Sequence, residues 1–208
     1  MARIRCFLLE ETERVAVYFR RYNSTAFKKG TCPVHDDYHN ASVRIEDELV
    51  EKDERGYIVN GSKPASHDDP RWPKICACGY IFRPEDEWQR DAHLLYWRRD
   101  TGEEMILRNA PPGAMWYAWW FDDIYQPQGK HCLVIRMPGG GEWIVDSQAK
   151  NCSMPEDRKQ EKHHCWILHG DPPNVTVDKQ GASTCAAGSG SVQMQNWHGF
   201  LRNGFLEE

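Results

Sequence analysis

Lys130-His-Cys-Leu-Val-Ile-Arg-Met137, Pro138-Gly-Gly-Gly-Glu142 and Trp143-Ile-Val-Asp146 follow one another without a break. Two apolar runs bracketing a proline- and glycine-rich turn make the pattern of a β-hairpin. The same pattern recurs in both directions. Upstream, Leu94 to Trp97 and Met105 to Leu107 flank Asp100-Thr-Gly102-Glu103, a second hairpin by its turn chemistry. Downstream, Thr176-Val-Asp178, Ser191-Val-Gln-Met194 and Trp197 to Leu201 are short strand candidates. Arg202-Asn-Gly204 then turns the chain into Phe205 and Leu206. Ala41 to Leu49 alternates, with Val43 and Ile45 set against Arg44 and Glu46, and predicts a strand with one exposed face.

Three stretches read less simply. Residues 2–22 fit a strand or a short helix, because Ile4, Phe7, Leu8, Val15, Val17 and Phe19 follow neither period cleanly. Pro84-Glu-Asp-Glu-Trp88 places proline and acids in a first turn and predicts a helix running to about Ala92. Pro111 to Phe121, the most aromatic stretch, suits a helix entered at proline or a buried strand. There is no fixed-period repeat and no low-complexity tract. The fold class expected is therefore α+β and β-rich: short antiparallel strands and hairpins, one or two short helices, and long zinc-knuckle loops. Two regions are expected, 1–83 with a pair of knuckles and 84–208 as a β-rich body, or one continuous domain.

The 208 residues are enough to bury a core without covalent staples, and nine tryptophans with 40% hydrophobic residues supply one. The net charge of -5 gives no global basic footprint for nucleic acid. Charge is uneven: residues 1–30 hold seven Lys/Arg against three Glu, and 36–69 hold ten Asp/Glu against four Lys/Arg. The apolar run after Met1 is broken at once by Glu10, Glu11 and Glu13, which is too short and too charged for a secretion signal. No stretch approaches the ~18 apolar residues of a membrane span. The expectation is a soluble protein that stays inside a cell. In that reducing setting eight cysteines are metal ligands or buried thiols rather than disulfides.

Two groups of soft donors stand out. In the first, Cys32 and His35 sit two residues apart in a tight turn, and Cys76-Ala-Cys78-Gly-Tyr80 makes a second turn. Paired knuckles are how a zinc ribbon closes a tetrahedron, and Gly79 lets the backbone turn beneath the metal. Cys32, His35, Cys76 and Cys78 are the first-choice zinc ligands, with His39 and His67 competing for the fourth place. The second group is looser: Cys152, His163 or His164, Cys165, His169, Cys185 and His198. Its weaker ligand set is Cys152, His164, Cys165, Cys185 and His198. For both groups the bland reading is ordinary buried thiols with solvated histidines.

The sequence also offers rival chemistries. Cys185 leads the glycine-rich run Ala186 to Ser191, whose N–H groups suit an oxyanion, with His198 as base and Asp178 or Asp146 as orienter. That run lacks the Gly-Lys-Ser/Thr ending of a P-loop. Arg71-Trp-Pro-Lys74, with Arg20, Arg21, Lys28 and Lys29, offers a local basic-aromatic patch for single strands, against the overall charge. Trp116, Trp119, Trp120 and Phe121 read as core, or as a partner interface where exposed.

Pro111-Pro-Gly-Ala-Met-Trp116, Gly141-Glu-Trp-Ile-Val-Asp-Ser147, Asn151-Cys152, His164-Cys-Trp166, His169-Gly-Asp-Pro-Pro173, Thr184-Cys-Ala-Ala-Gly188 and Trp197-His-Gly-Phe-Leu-Arg-Asn-Gly204 together resemble uncharacterised proteins encoded by tailed bacteriophages. That resemblance covers roughly residues 76–206. The last 40 or so residues also resemble small cysteine- and histidine-containing domains found beside prokaryotic ubiquitin-like conjugation genes. Neither family carries an established activity, so the resemblance implies source and compactness rather than mechanism. It implies a host-cytoplasmic or virion setting without disulfides.

The function expected is a zinc-binding phage accessory protein that engages a host or virion protein, with no membrane and no nucleic acid among its partners. A metal-dependent hydrolase is the alternative, with the C-terminal set holding zinc and Asp146 or Glu142 as base. A virion structural subunit is the third reading.

Overall fold

Burial at every second residue settles the N-terminal run as strand. A computed structural model, which describes residues 3–23, 32–35, 38–150, 152–154, 163–179, 190–194 and 196–208, places β1 at Arg3–Arg5 and β2 at Phe7–Tyr22. Val15, Val17, Phe19 and Arg21 fall on one face of β2 and are all buried, as the period of a pleated strand requires. The elements that follow are β3 (Asn40–Leu49), β4 (Glu87–Arg98), β5 (Glu104–Ile106) and β6 (Ala114–Tyr117). A 3-10 turn at Trp119–Phe121 runs into α1 (Asp122–Tyr125). Seven further strands complete the chain: β7 (Leu133–Arg136), β8 (Glu142–Ile144), β9 (Ile167–His169), β10 (Thr176–Asp178), β11 (Val192–Met194), β12 (Trp197–Arg202) and β13 (Phe205–Glu207). The architecture is β-rich and mostly antiparallel, as the sequence predicts.

The chain forms two compact units, Glu11–Tyr96 and Met1–Glu10 with Trp97–Glu208. It passes from one to the other within β2 and returns within β4. The sequence reading drew its line at 83/84, where it expected a helix to open the second region. No helix forms there: Glu87–Arg98 is strand. The Asp86 carboxylate accepts the Arg83 N–H at 2.7 Å and the Tyr80 hydroxyl at 3.1 Å, so Pro84, Glu85 and Asp86 make a turn that launches a strand.

In the Glu11–Tyr96 unit, β2 pairs antiparallel with β3 from Arg14↔Leu49 to Tyr22↔Asn40, with a register shift between Val17 and Tyr18. The Phe19 ring stacks on buried Trp72, centroids 3.9 Å apart, and the Arg21 guanidinium lies 3.5 Å above Trp88. A polar core sits beside this aromatic one. Asn60, fully buried, donates to Glu48 Oε2 and the Leu49 carbonyl, both at 2.9 Å, and accepts the Glu51 N–H at 2.8 Å. Arg90 closes the network on Glu48 and the Asn60 carbonyl. Buried polar groups tolerate this only when each is satisfied.

In the other unit, Phe7 and Leu8 of β2 pair in parallel with Ala114 and Met115 of β6, and β6, β7 and β8 continue antiparallel. The β7–β8 hairpin read from the sequence is present, closed by the Met137 N–H on the Gly141 carbonyl at 2.8 Å. A second sheet runs in the order β1-β13-β12-β11, and β9 and β10 form a separate hairpin. The apolar core of this unit includes Leu8, Met115, Ile135, Trp143, Trp166 and Leu201. Trp116 is also buried, whereas Trp119, Trp120 and Phe121 are half-buried.

Candidate metal centre

The second knuckle is a tight hairpin. Ile75 and Ile81 form an antiparallel bridge, the Cys76 N–H donates to the Tyr80 carbonyl, and the Gly79 N–H donates to the Cys76 carbonyl, both at 2.8 Å. Gly79 has φ +91°, a conformation that costs a side-chain-bearing residue but not glycine. This turn brings Cys76 and Cys78 to the same place as the first knuckle. Cys32, His39, Cys76 and Cys78 present four donor atoms that all lie within 4.8 Å of one another.

The spacings suit a tetrahedral ion. Zinc–sulfur bonds of ~2.3 Å put two thiolates on a common zinc about 3.8 Å apart, and Cys32 Sγ and Cys76 Sγ are separated by 3.8 Å. His39 Nδ1 stands 3.2 Å from Cys78 Sγ. His35 Nδ1 is close as well, 3.2 Å from Cys32 Sγ and 3.6 Å from Cys76 Sγ. It lies outside the mutual set of four, which His39 completes. His67, the other competitor, instead stacks on Trp88 with centroids 4.9 Å apart. A Cys3His group of this kind is compatible with zinc.

Electrostatics favour a cation here. Burial pushes the Cys32 thiol up, but the N–H groups of His35 and Val34, with His35 and Cys78 side-chain contacts, outweigh it and bring the thiol down to about 6. Cys78 moves the other way: the Tyr80 N–H lowers it, yet burial and the adjoining thiols of Cys76 and Cys32 raise it overall. Three sulfurs in contact cannot all ionise without a positive charge among them, and a bound divalent ion supplies that charge.

Tyr80 is the residue the sequence reading left without a role. Its ring lies against His39, and its hydroxyl bridges Asn23 and Asp86. The available signal was its place directly after Gly79, where a knuckle's own side chain must fold back over the ligands.

The C-terminal candidates separate into groups. Cys152 Sγ and Cys165 Sγ lie 3.3 Å and 3.6 Å from His163 Nε2, and the three donors are mutually within 4.8 Å, a Cys2His group. His164 turns elsewhere, with Nδ1 3.8 Å from Asp146 Oδ1. Asp146 is buried and accepts the backbone and side-chain N–H groups of Gln128 at 3.1 and 3.2 Å. Its carboxyl is pushed up by burial, opposed by Gln128 and the charge of His164. His169 bonds Asp178 at 3.0 Å, which gives the supposed orienter of His198 a different histidine. Glu142 pairs with Arg136 at 2.9 Å. His198 is exposed and lines a cavity of about 180 Å³ with Ala149, Lys150, Trp166, Ser191 and Gln193. Cys185 lies outside the described residues, so the thiol-nucleophile reading has no geometry behind it.

No family model, no curated protein and no solved structure matches this chain. The site must therefore be read from its own chemistry. Among the described residues no disulfide joins the cysteines, and no helix is long and apolar enough to cross a membrane. Within the basic-aromatic patch Trp72 and Arg21 are buried and Arg20 binds Asn40 at 3.0 Å and Tyr38 at 2.8 Å, whereas Arg71, paired with Asp69 at 2.7 Å, and Lys74 are exposed. Lys28 and Lys29 lie outside the described residues.

Proposed function

We propose that this chain is a zinc-binding protein whose Cys3His centre folds the Glu11–Tyr96 unit, and whose activity is to bind another protein rather than to transform a substrate. The ligands in this reading are Cys32, Cys76, Cys78 and His39, with His35 holding Cys32 from outside. The observation that carries it is what the knuckles display. Val34, Ile75 and Ile81 are 56%, 57% and 68% exposed. Each stands within three residues of a donor, and Ile75 and Ile81 are paired across the second turn. Exposed aliphatic side chains that adjoin one another, as the bridged Ile75 and Ile81 do, are the kind of surface a protein partner covers. Four protein donors fill a tetrahedral ion and leave it no place for substrate, which is the structural rather than the catalytic arrangement. The phage motifs support a host or virion protein as the partner, and host cytoplasm or virion as the setting.

The hydrolase reading has two observations in its favour: the cavity lined by Lys150, Trp166 and His198, whose lining residues flank Cys152 and Cys165 in sequence, and the Cys2His group, whose three donors leave a tetrahedral ion an open position. The carboxylates it needs are committed to Gln128 and Arg136, so binding is the better-supported function.

Two experiments test the proposal. His39→Ala is expected to lose the one equivalent of zinc held by the Cys3His centre while His35→Ala retains it; the reverse result would move the fourth ligand to His35. A photocrosslinking residue at Ile75 or Ile81 is expected to give one discrete protein adduct in the producing cell, lost when Val34→Asp is added. A control at Lys130 is expected to give no such adduct. The same adducts at all three positions would overturn the docking role.

A further inference from the structure

We infer that the C-terminal unit carries a second metal site, Cys152, His163 and Cys165, which takes zinc or another thiophilic divalent cation independently of the Cys3His centre. The two donor sets belong to different compact units.

Three observations converge on it. The first is distance. A zinc ion bound by one sulfur and one nitrogen holds them about 3.6 Å apart, and His163 Nε2 stands 3.3 Å from Cys152 Sγ and 3.6 Å from Cys165 Sγ. The second is direction. His163 and Cys165 converge on Cys152 while the intervening His164 turns to Asp146. The third is the local signature of the sulfur. Cys152 Sγ accepts the Met154 N–H, two residues on, at 3.4 Å. Cys32 and Cys78 receive N–H groups from Val34 and Tyr80 at the same offset. A sulfur that accepts backbone hydrogen bonds is prepared to be a thiolate, the form that binds metal.

Burial adds a reason for the site to exist. Cys165 is in the apolar core with Trp143 and Trp166, and Cys152 packs against it. An ion there ties the chain on both sides of residues 155–162 to that core. Two sulfurs and an imidazole select zinc, cadmium or cobalt over magnesium or calcium, which require oxygen donors.

The test is elemental metal content of the full chain purified without added metal, with cobalt titration of the metal-free protein as a second count. Wild type is expected to hold two equivalents. Cys152→Ser, His163→Asn and Cys165→Ser are each expected to hold one, and Cys76→Ser is expected to hold the other. One equivalent retained by Cys76→Ser and lost from Cys165→Ser would support this site even if the Cys3His centre failed. A wild type that holds one equivalent, lost in Cys76→Ser and kept in Cys152→Ser, would overturn it, as would two equivalents that survive all three C-terminal substitutions. Should a substituted chain not fold, the cobalt endpoint decides, two equivalents in the wild type supporting the site and none overturning it, and a single equivalent supporting it if His39→Ala retains it and overturning it if His39→Ala loses it.

Discussion

His39 lies flat against Tyr80, with ring centroids 4.0 Å apart and planes within 2° of parallel. The Tyr80 hydroxyl is itself tied, donating to Asp86 at 3.1 Å and accepting from Asn23 at 2.9 Å. The ring that brings a nitrogen to the thiols is thus held on one face by a clamp anchored on two further residues. Partners one step out from a metal typically change its affinity by ~10–100-fold. Tyr80→Leu, which removes both stack and hydroxyl, is expected to weaken zinc binding at least tenfold by that rule. Tyr80→Phe keeps the stack and is expected to lose less. Competition against a chromophoric chelator measures both, and equal affinities for wild type and Tyr80→Leu would remove the clamp from the argument.

Metal removal is expected to act on one unit. The buried cluster at the centre is Cys32, Cys76 and Phe82, with Ala41, Cys78 and Tyr80 packed on it. Half of that cluster is cysteine, so on the zinc reading little apolar packing would remain to hold the knuckles once an ion is removed. After chelation, the amides of 32–35 and 75–82 are expected to exchange at nearly the rate of an unfolded chain. Those of 133–145, in the other unit, are expected to keep their protection unless the second site anchors them too. Hydrogen exchange read by mass spectrometry resolves the two segments.

The hairpins were legible because turn residues and strand alternation are local. Pro138 to Glu142, Asp100 to Glu103 and Arg202 to Gly204 all turn the chain where their chemistry says. The knuckle cysteines were legible for the same reason, since Cys76, Cys78 and Gly79 encode one turn. The two histidines were not separable in the sequence, because His35 and His39 are both within reach of Cys32; in the fold His35 Nδ1 lies 3.2 Å from Cys32 Sγ, and His39, stacked on Tyr80, is the one within 4.8 Å of all three sulfurs. Pro84-Glu-Asp86 was misread because proline followed by acids opens a type I turn as readily as a helix. What decides is Asp86 accepting from Arg83 and Tyr80, a pairing no spacing announces. Asn60 gave no signal at all, because a polar residue in a charged loop looks solvated.

Asn60 is expected to be the most sensitive polar residue of its unit. Its side chain satisfies the Glu51 N–H, the Leu49 carbonyl and Glu48 at once, with no exposure to water. Asn60→Ala removes all three bonds and strands their partners, which costs about 2–4 kcal/mol when buried groups are left unsatisfied. Chemical denaturation of the zinc-loaded protein checks this, and a loss within ~0.5 kcal/mol, the range of an ordinary surface substitution, would contradict it.

Glu48 ties the same network to pH. Burial pushes its carboxyl up, but hydrogen bonds from Asn60 and Lys63 and the charges of Arg90 and Lys63 outweigh burial and hold it below the ordinary carboxylate range. A carboxyl with a depressed folded-state pKa contributes stability that is fully present above its unfolded value, ~4.3 for Glu, and lost as pH falls through the folded value. Acid also protonates zinc ligands, so the informative quantity is a difference. Above pH ~6 the wild type is expected to exceed Glu48→Gln in stability by a constant margin, because Glu48 is almost fully ionised there in both folded and unfolded chains. Below pH ~4.3 that margin is expected to shrink, since only the wild type has a carboxylate to lose at this position. Zinc release is common to both proteins and drops out of the comparison. Denaturation midpoints between pH 6 and 3, roughly the window in which carboxylates titrate, give the curve. A margin that stays constant throughout would mean that Arg90 and Lys63 hold Glu48 through its hydrogen bonds alone and not through its charge.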